Sequence, residues 1–101
     1  MGAFVKVATL AELPAGKAKS VEVKGCAVAL YNVGGTIYAT ANVCPHRGGP
    51  LGEGDLDEAV ITCPWHSFQY EVTSGKCLTN QALSLACHKV RVDGQEILVE
   101  I

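Results

Sequence analysis

Four residues of this chain pair by type and spacing: Cys44 with His46, and Cys63 with His66. The pairs read Cys-x-His and Cys-x-x-His, with sixteen residues between them. Each supplies one thiolate and one imidazole, so two loops can present a matched ligand set to one metal centre. Two Cys and two His suit a tetrahedral zinc ion. They equally suit a [2Fe–2S] cluster in which two His replace two Cys on one iron. In extended chain, residues two apart share a face, so Cys44 and His46 can reach the same centre. In a tight turn, residues three apart approach one another, which does the same for Cys63 and His66. The first run, Cys44-Pro45-His46-Arg47-Gly48-Gly49-Pro50-Leu51-Gly52, is dense in Gly and Pro and reads as a loop of constrained backbone. Its glycines let backbone N–H groups approach a cluster, where hydrogen bonds to sulfur raise the potential.

The segments that must hold these loops read as strands. Val21 to Lys24 alternates apolar and charged residues. Cys26–Asn32 and Thr36–Thr40 flank Gly34-Gly35, a hairpin turn signal. Val60-Ile61-Thr62 is a β-branched approach to the second ligand pair, and Gln69 to Val72 leaves it for a turn at Ser74-Gly75. Lys89–Val92 and Glu96–Val99 sit on either side of Asp93-Gly94, another hairpin signal. The helical hint is Thr9-Leu10-Ala11-Glu12, a capping-box pattern stopped by Pro14, which allows a turn or two. The expectation is an all-β domain of antiparallel hairpins.

Composition bounds the rest. A length of 101 residues makes one domain, residues 1–101, with the ligand loops over about 43–71. Hydrophobic content of 49% with 18% charged residues is that of a globular chain. A formal charge of −2 gives no basic field for nucleic acid or an anionic membrane. The longest apolar run, Cys26 to Tyr31, is too short to span a bilayer, and no secretory or lipidation signal is read, so the chain is expected in the cytoplasm. Five cysteines, an odd number, argue against a closed disulfide framework. Cys26 heads the apolar run and is expected to be buried; Cys77 and Cys87 are read as packing residues, and His88 as structural or surface-exposed. No nucleophile elbow, P-loop, dinucleotide fingerprint or paired carboxylate is present, so the chain reads as a carrier and not as an enzyme.

Cys44-Pro-His-Arg-Gly-Gly-Pro-Leu with Cys63-Pro-Trp-His closely resembles the Rieske [2Fe–2S] family, and most of all its small soluble ferredoxins. The resemblance is most specific from Val43 to about Lys76. It implies a β-sandwich-like antiparallel framework with two cluster-binding loops at one end, and one [2Fe–2S] cluster per chain. Cys44 and Cys63 would hold the inner iron, His46 and His66 the outer. It further implies a midpoint potential that falls as pH rises through the histidine pKa of the oxidised protein. Rieske proteins of respiratory and photosynthetic complexes carry an extra Cys in each loop, joined as a disulfide; Gly49 and Trp65 stand at those positions here. Phe68 stands where those proteins place a Ser donor, which points to the low end of a range of roughly −150 to +300 mV. Ser67 departs from the Gly usual after the second His, and Tyr70 sits where an aromatic hydroxyl could donate to a ligand sulfur.

The function implied is one-electron transfer from a flavin-containing NAD(P)H reductase to a terminal ring-hydroxylating oxygenase, by a monomer. Two alternatives stand beside it: the small Rieske subunit of an NAD(P)H-dependent nitrite reductase, paired with its large subunit, and a zinc-stabilised interaction module. Pro45, Pro50, Pro64 and Trp65 would form an apolar rim suited to transient docking. Glu53, Asp55, Asp57 and Glu58 form an acidic stretch that either steers a basic partner or is a solvated loop.

Overall fold

The structure is a computed structural model and describes residues 3–42, 50–65, 68–80 and 82–100. Its strands are β1 (Phe4–Thr9), β2 (Ala18–Val23), β3 (Cys26–Val33), β4 (Thr36–Ala41), β5 (Asp55–Asp57), β6 (Val60–Thr62), β7 (Gln69–Glu71), β8 (Cys87–His88), β9 (Val90–Asp93) and β10 (Glu96–Glu100). They form three antiparallel sheets, ordered β1-β10-β9, β2-β3-β4-β8 and β5-β6-β7. The all-β antiparallel expectation is met.

The central strand explains the architecture. Along β3, Val28 and Leu30 point into one core with Leu13, Ile37, Ile97 and Val99. Ala29 and Tyr31 point the other way, into a second core with Leu51, Ile61, Cys63, Tyr70 and Leu85. A strand covered on both faces must be apolar at every position rather than at alternate ones, and this is why the run through Tyr31 lacks alternation. The four-stranded sheet is therefore the middle layer, with the β1-β10-β9 sheet on one side and the small β5-β6-β7 sheet on the other. Burying Tyr31 requires a partner for its hydroxyl, and Thr40 Oγ1 provides one at 2.8 Å across the β3–β4 pair. Burial pushes the Tyr31 phenol well above its ordinary pKa, so it stays protonated.

Local signals held with three adjustments. The capping pattern at Thr9 becomes a single 3₁₀ turn, Leu10–Glu12, with the Thr9 N–H donating to Glu12 Oε1 at 2.8 Å. The last hairpin turns one residue later than its Asp-Gly signal. Asp93 pairs with Glu96, so Gly94 and Gln95 make the turn and Gly94 takes the positive φ of 64°. Cys26 is a correction: it is exposed, not buried. It pairs with Val23 beside the tight Lys24-Gly25 turn, where the strand emerges from between the other two layers. Strands β1, β5 and β8 carried no signal strong enough to be read. No helix among the described residues is long and apolar enough to cross a membrane.

Candidate metal centre

Of the four proposed ligands, Cys63 lies among the described residues; Cys44, His46 and His66 lie outside them. The described residues do define where both loops leave and rejoin the fold. Thr62 ends β6 and pairs with Gln69 at the start of β7. One step further out, the Cys63 N–H donates to the Phe68 carbonyl at 2.7 Å. Residues 64–67 thus form a four-residue connection closed at its base. Cys63 at its root is 1% exposed, whereas Trp65, two residues on, is 50% exposed. A buried thiol two residues from an exposed tryptophan suits a soft ligand that faces inward.

The other loop leaves at Asn42, just after β4, and returns at Pro50. Its two ends are tied together by Asn42. The Leu51 N–H donates to the Asn42 carbonyl at 3.3 Å, and the Gly52 N–H donates to Asn42 Oδ1 at 2.7 Å. Leu51 opens a 3₁₀ turn, Leu51–Glu53, and packs fully buried in the same core as Cys63, Ile61 and Tyr70. Beyond that turn the chain runs straight into β5, whose Asp55 pairs with Thr62, the residue before Cys63. The approach is close: a Cβ on Gly54 would overlap the Thr62 carbonyl oxygen, and one on Gly52 would overlap Ser20. Glycine at both places lets the return of the first loop lie against the root of the second. The topology therefore sets the roots of the two loops side by side, at one end of the middle and small sheets.

Around this end lie the residues expected to form a rim. Pro64 and Trp65 are exposed and Pro50 is half-buried; Pro45 lies outside the described residues. Leu78, which sequence reasoning missed, is 50% exposed. Its N–H donates to the Gln69 carbonyl at 2.7 Å, and Thr79 Oγ1 accepts from the Gln69 N–H at 3.0 Å, so the turn after β7 is held beside the base of the second loop. Tyr70 is fully buried in the Cys63 core. Glu53, Asp55, Asp57 and Glu58 are all exposed, but not as a loop. Asp55 and Asp57 are the outward positions of β5, an edge strand, with Leu56 turned toward the core. Charges there also guard an otherwise open sheet edge.

The remaining thiols separate by environment. Cys77 is buried and its Sγ accepts the Asn80 N–H at 3.2 Å. Cys87 is an exposed residue, yet burial of its sulfur raises the thiol pKa. His88 is half-buried on β8, opposite Ala39.

Comparison with known proteins gives one consistent result. Residues 3–99 match the family model of the Rieske [2Fe–2S] domain. The ferredoxin component of the naphthalene 1,2-dioxygenase system of Pseudomonas aeruginosa is 31% identical over 99 residues, covering 97% of this chain and 95% of that protein. The ferredoxin of carbazole 1,9a-dioxygenase from Nocardioides aromaticivorans IC177 superimposes with a TM-score of 0.88 at 33% identity, covering 95% of each chain. A ferredoxin solved in complex with the reduced oxygenase of carbazole 1,9a-dioxygenase gives 0.89 at 31% identity, over 96% of this chain and 92% of that one. The soft donor set and the paired loop roots both fit the group that defines this family.

Proposed function

Because this chain belongs to the Rieske [2Fe–2S] domain family, we propose that Cys44 and Cys63 hold one iron of a single cluster and His46 and His66 the other. The chain is a Rieske-type ferredoxin, an electron-carrying component and not itself a catalyst. As one domain over residues 1–101, and as a cytoplasmic monomer, it takes electrons from a flavin-containing NAD(P)H reductase and delivers them to a terminal oxygenase. The observation that supports the ligand assignment most directly is the buried Cys63 at the root of a closed four-residue loop, packed beside the return of the loop that bears Cys44 and His46.

The bound cluster supplies one-electron redox chemistry. The protein's part is to exclude water from the thiolate side. Ile61, Leu51 and Tyr70 surround Cys63 with apolar packing, and a low dielectric there disfavours the extra negative charge of the reduced state. A hydrogen bond from the Tyr70 hydroxyl to a ligand sulfur would offset part of that cost. Trp65, Pro64 and Leu78 give the oxygenase a small apolar contact around the exit point, in keeping with a partner that must leave after each electron. The acidic edge of β5 favours a basic docking surface on that partner.

Low-temperature EPR of anaerobic protein before and after dithionite tests the assignment. A rhombic signal that appears only on reduction, with an average g value below that of all-cysteine ferredoxins, is expected. Cys44→Ser, His46→Ala, Cys63→Ser and His66→Ala should each abolish or alter it. An all-cysteine signature, or a colourless protein loaded with zinc, would overturn the assignment.

A further inference from the structure

The root of the first ligand loop depends on one buried polar side chain. Asn42 is 9% exposed and stands directly before the loop. Its N–H donates to the Ala27 carbonyl at 3.1 Å, and its carbonyl accepts from the Leu51 N–H at 3.3 Å. Its Oδ1 accepts from the Gly52 N–H at 2.7 Å and from the Ser20 hydroxyl at 3.3 Å. One residue thus joins β3, β2 and the 3₁₀ turn that follows the loop. Gly52 is buried against Ser20, where a side chain has no room, so no water readily replaces Oδ1 as the acceptor for its N–H. Two residues on, Gly54 abuts Thr62, the neighbour of Cys63. The links run without a break from the root of one ligand loop to the root of the other.

We propose that Asn42 is a positioning residue for the cluster: its side-chain oxygen sets the span of the first ligand loop and its register against the second. The proposal rests on the ligand assignment above. Asn42 touches neither iron nor electron partner in this scheme; it acts through the places where Cys44, His46 and Cys63 are rooted. Its removal should therefore be felt in cluster retention and in the spectrum more than in the fold.

Asn32 supplies a control of the same chemistry. It is also buried, donates from Nδ2 to the Leu13 carbonyl at 2.8 Å and accepts from the Gly35 N–H at 2.8 Å. It does so at the opposite end of the β3–β4 hairpin, away from the ligand loops. Holoprotein carrying Asn42→Ala, Asn42→Asp or Asn32→Ala would be compared with wild type. The readouts are bleaching of the visible absorbance in excess EDTA and the EPR g values after reduction. Asn42→Ala should bleach about tenfold faster, the low end of what loss of a direct partner of a metal ligand costs in affinity, with altered g values. Asn42→Asp, which keeps the acceptor oxygen, should stay near wild type. Asn32→Ala should lower the melting temperature without speeding bleaching. If Asn42→Ala bleaches at the wild-type rate, or Asn32→Ala accelerates it equally, the proposal is overturned. Should Asn42→Ala not accumulate as folded protein, Ser20→Ala takes its place, with a several-fold acceleration expected and an unchanged rate counting against it. A wild-type protein without the mixed-ligand signature overturns the ligand assignment and this proposal together, whereas a normal wild type with an inert Asn42→Ala overturns this proposal alone.

Discussion

At the residue scale, similar side chains behave differently because their surroundings differ. Cys26, Cys77 and Cys87 look alike in the sequence, each beside apolar or small neighbours. The fold exposes Cys26 at a hairpin end and buries Cys77 in the core of the small sheet. Maleimide labelling followed by mass spectrometry should modify Cys26 rapidly and leave Cys77 protected until the protein unfolds. Cys87 is intermediate: burial lifts its thiol pKa, so less thiolate is present at neutral pH. Its alkylation rate should therefore keep rising with pH beyond the range of an ordinary thiol, and a profile that levels off in that ordinary range would contradict the burial. Glu12 moves the opposite way. The Thr9 N–H bond, and then the Thr9 hydroxyl, hold its carboxyl below the usual carboxylate pKa. A depressed folded pKa adds stability above the unfolded value and loses it as pH falls through the folded one. Denaturation of Glu12→Gln against wild type should show a small difference at pH 7 that disappears in acid.

At the element scale, turns were legible where backbone chemistry is local and less so where pairing is long-range. Gly34-Gly35 announces its hairpin because both turn positions need positive φ, and they have it at 59° and 100°. Strand β6, Val60–Thr62, matches its expected bounds because a β-branched run between turn residues has few other options. By contrast β5 is Asp-Leu-Asp, three residues of poor strand propensity that pair because β6 lies beside them. The link that makes this possible is Gly54, which tolerates no side chain against Thr62. Gly54→Ala should cost about 1–3 kcal/mol through overpacking. For a domain of this size that lowers the melting temperature by roughly 4–8 °C per kcal/mol, as thermal circular dichroism would record. A variant that melts with wild type would mean that the turn after the first ligand loop gives way more easily than its packing implies.

At the scale of the whole molecule, the net charge conceals a local concentration of acid. A formal charge of −2 is unremarkable, yet Glu53, Asp55, Asp57 and Glu58 lie together on one exposed edge. Neutralising all four as amides should lower the association rate with the oxygenase about tenfold at low ionic strength and flatten its salt dependence. The potential of the cluster should hardly change, since screened surface charges act weakly across the core. Stopped-flow electron transfer over a salt series would check this, and an unaltered rate would return the acidic edge to its role in guarding β5. The zinc-module and nitrite-reductase alternatives are not favoured, because the relatives at 31–33% identity described above are ferredoxins of ring-hydroxylating systems.

By itself the sequence determined the proposed ligand set, its spacing and the antiparallel all-β class. Each of these rests on local chemistry: thiolate and imidazole pairs two or three residues apart, and turn residues between short β-branched runs. The tertiary structure decided what depends on residues distant in the chain. It turned the run through Tyr31 into a strand covered on both faces, and it moved Cys26 to the surface. It also joined the roots of the two proposed ligand loops through Asn42, Gly52, Gly54 and Thr62. An asparagine before a loop carries no mark that distinguishes a buried clamp from a solvated turn. That distinction arises only when Ser20, Ala27 and Gly52 are folded around it, because a hydrogen bond gains its structural weight from the exclusion of water.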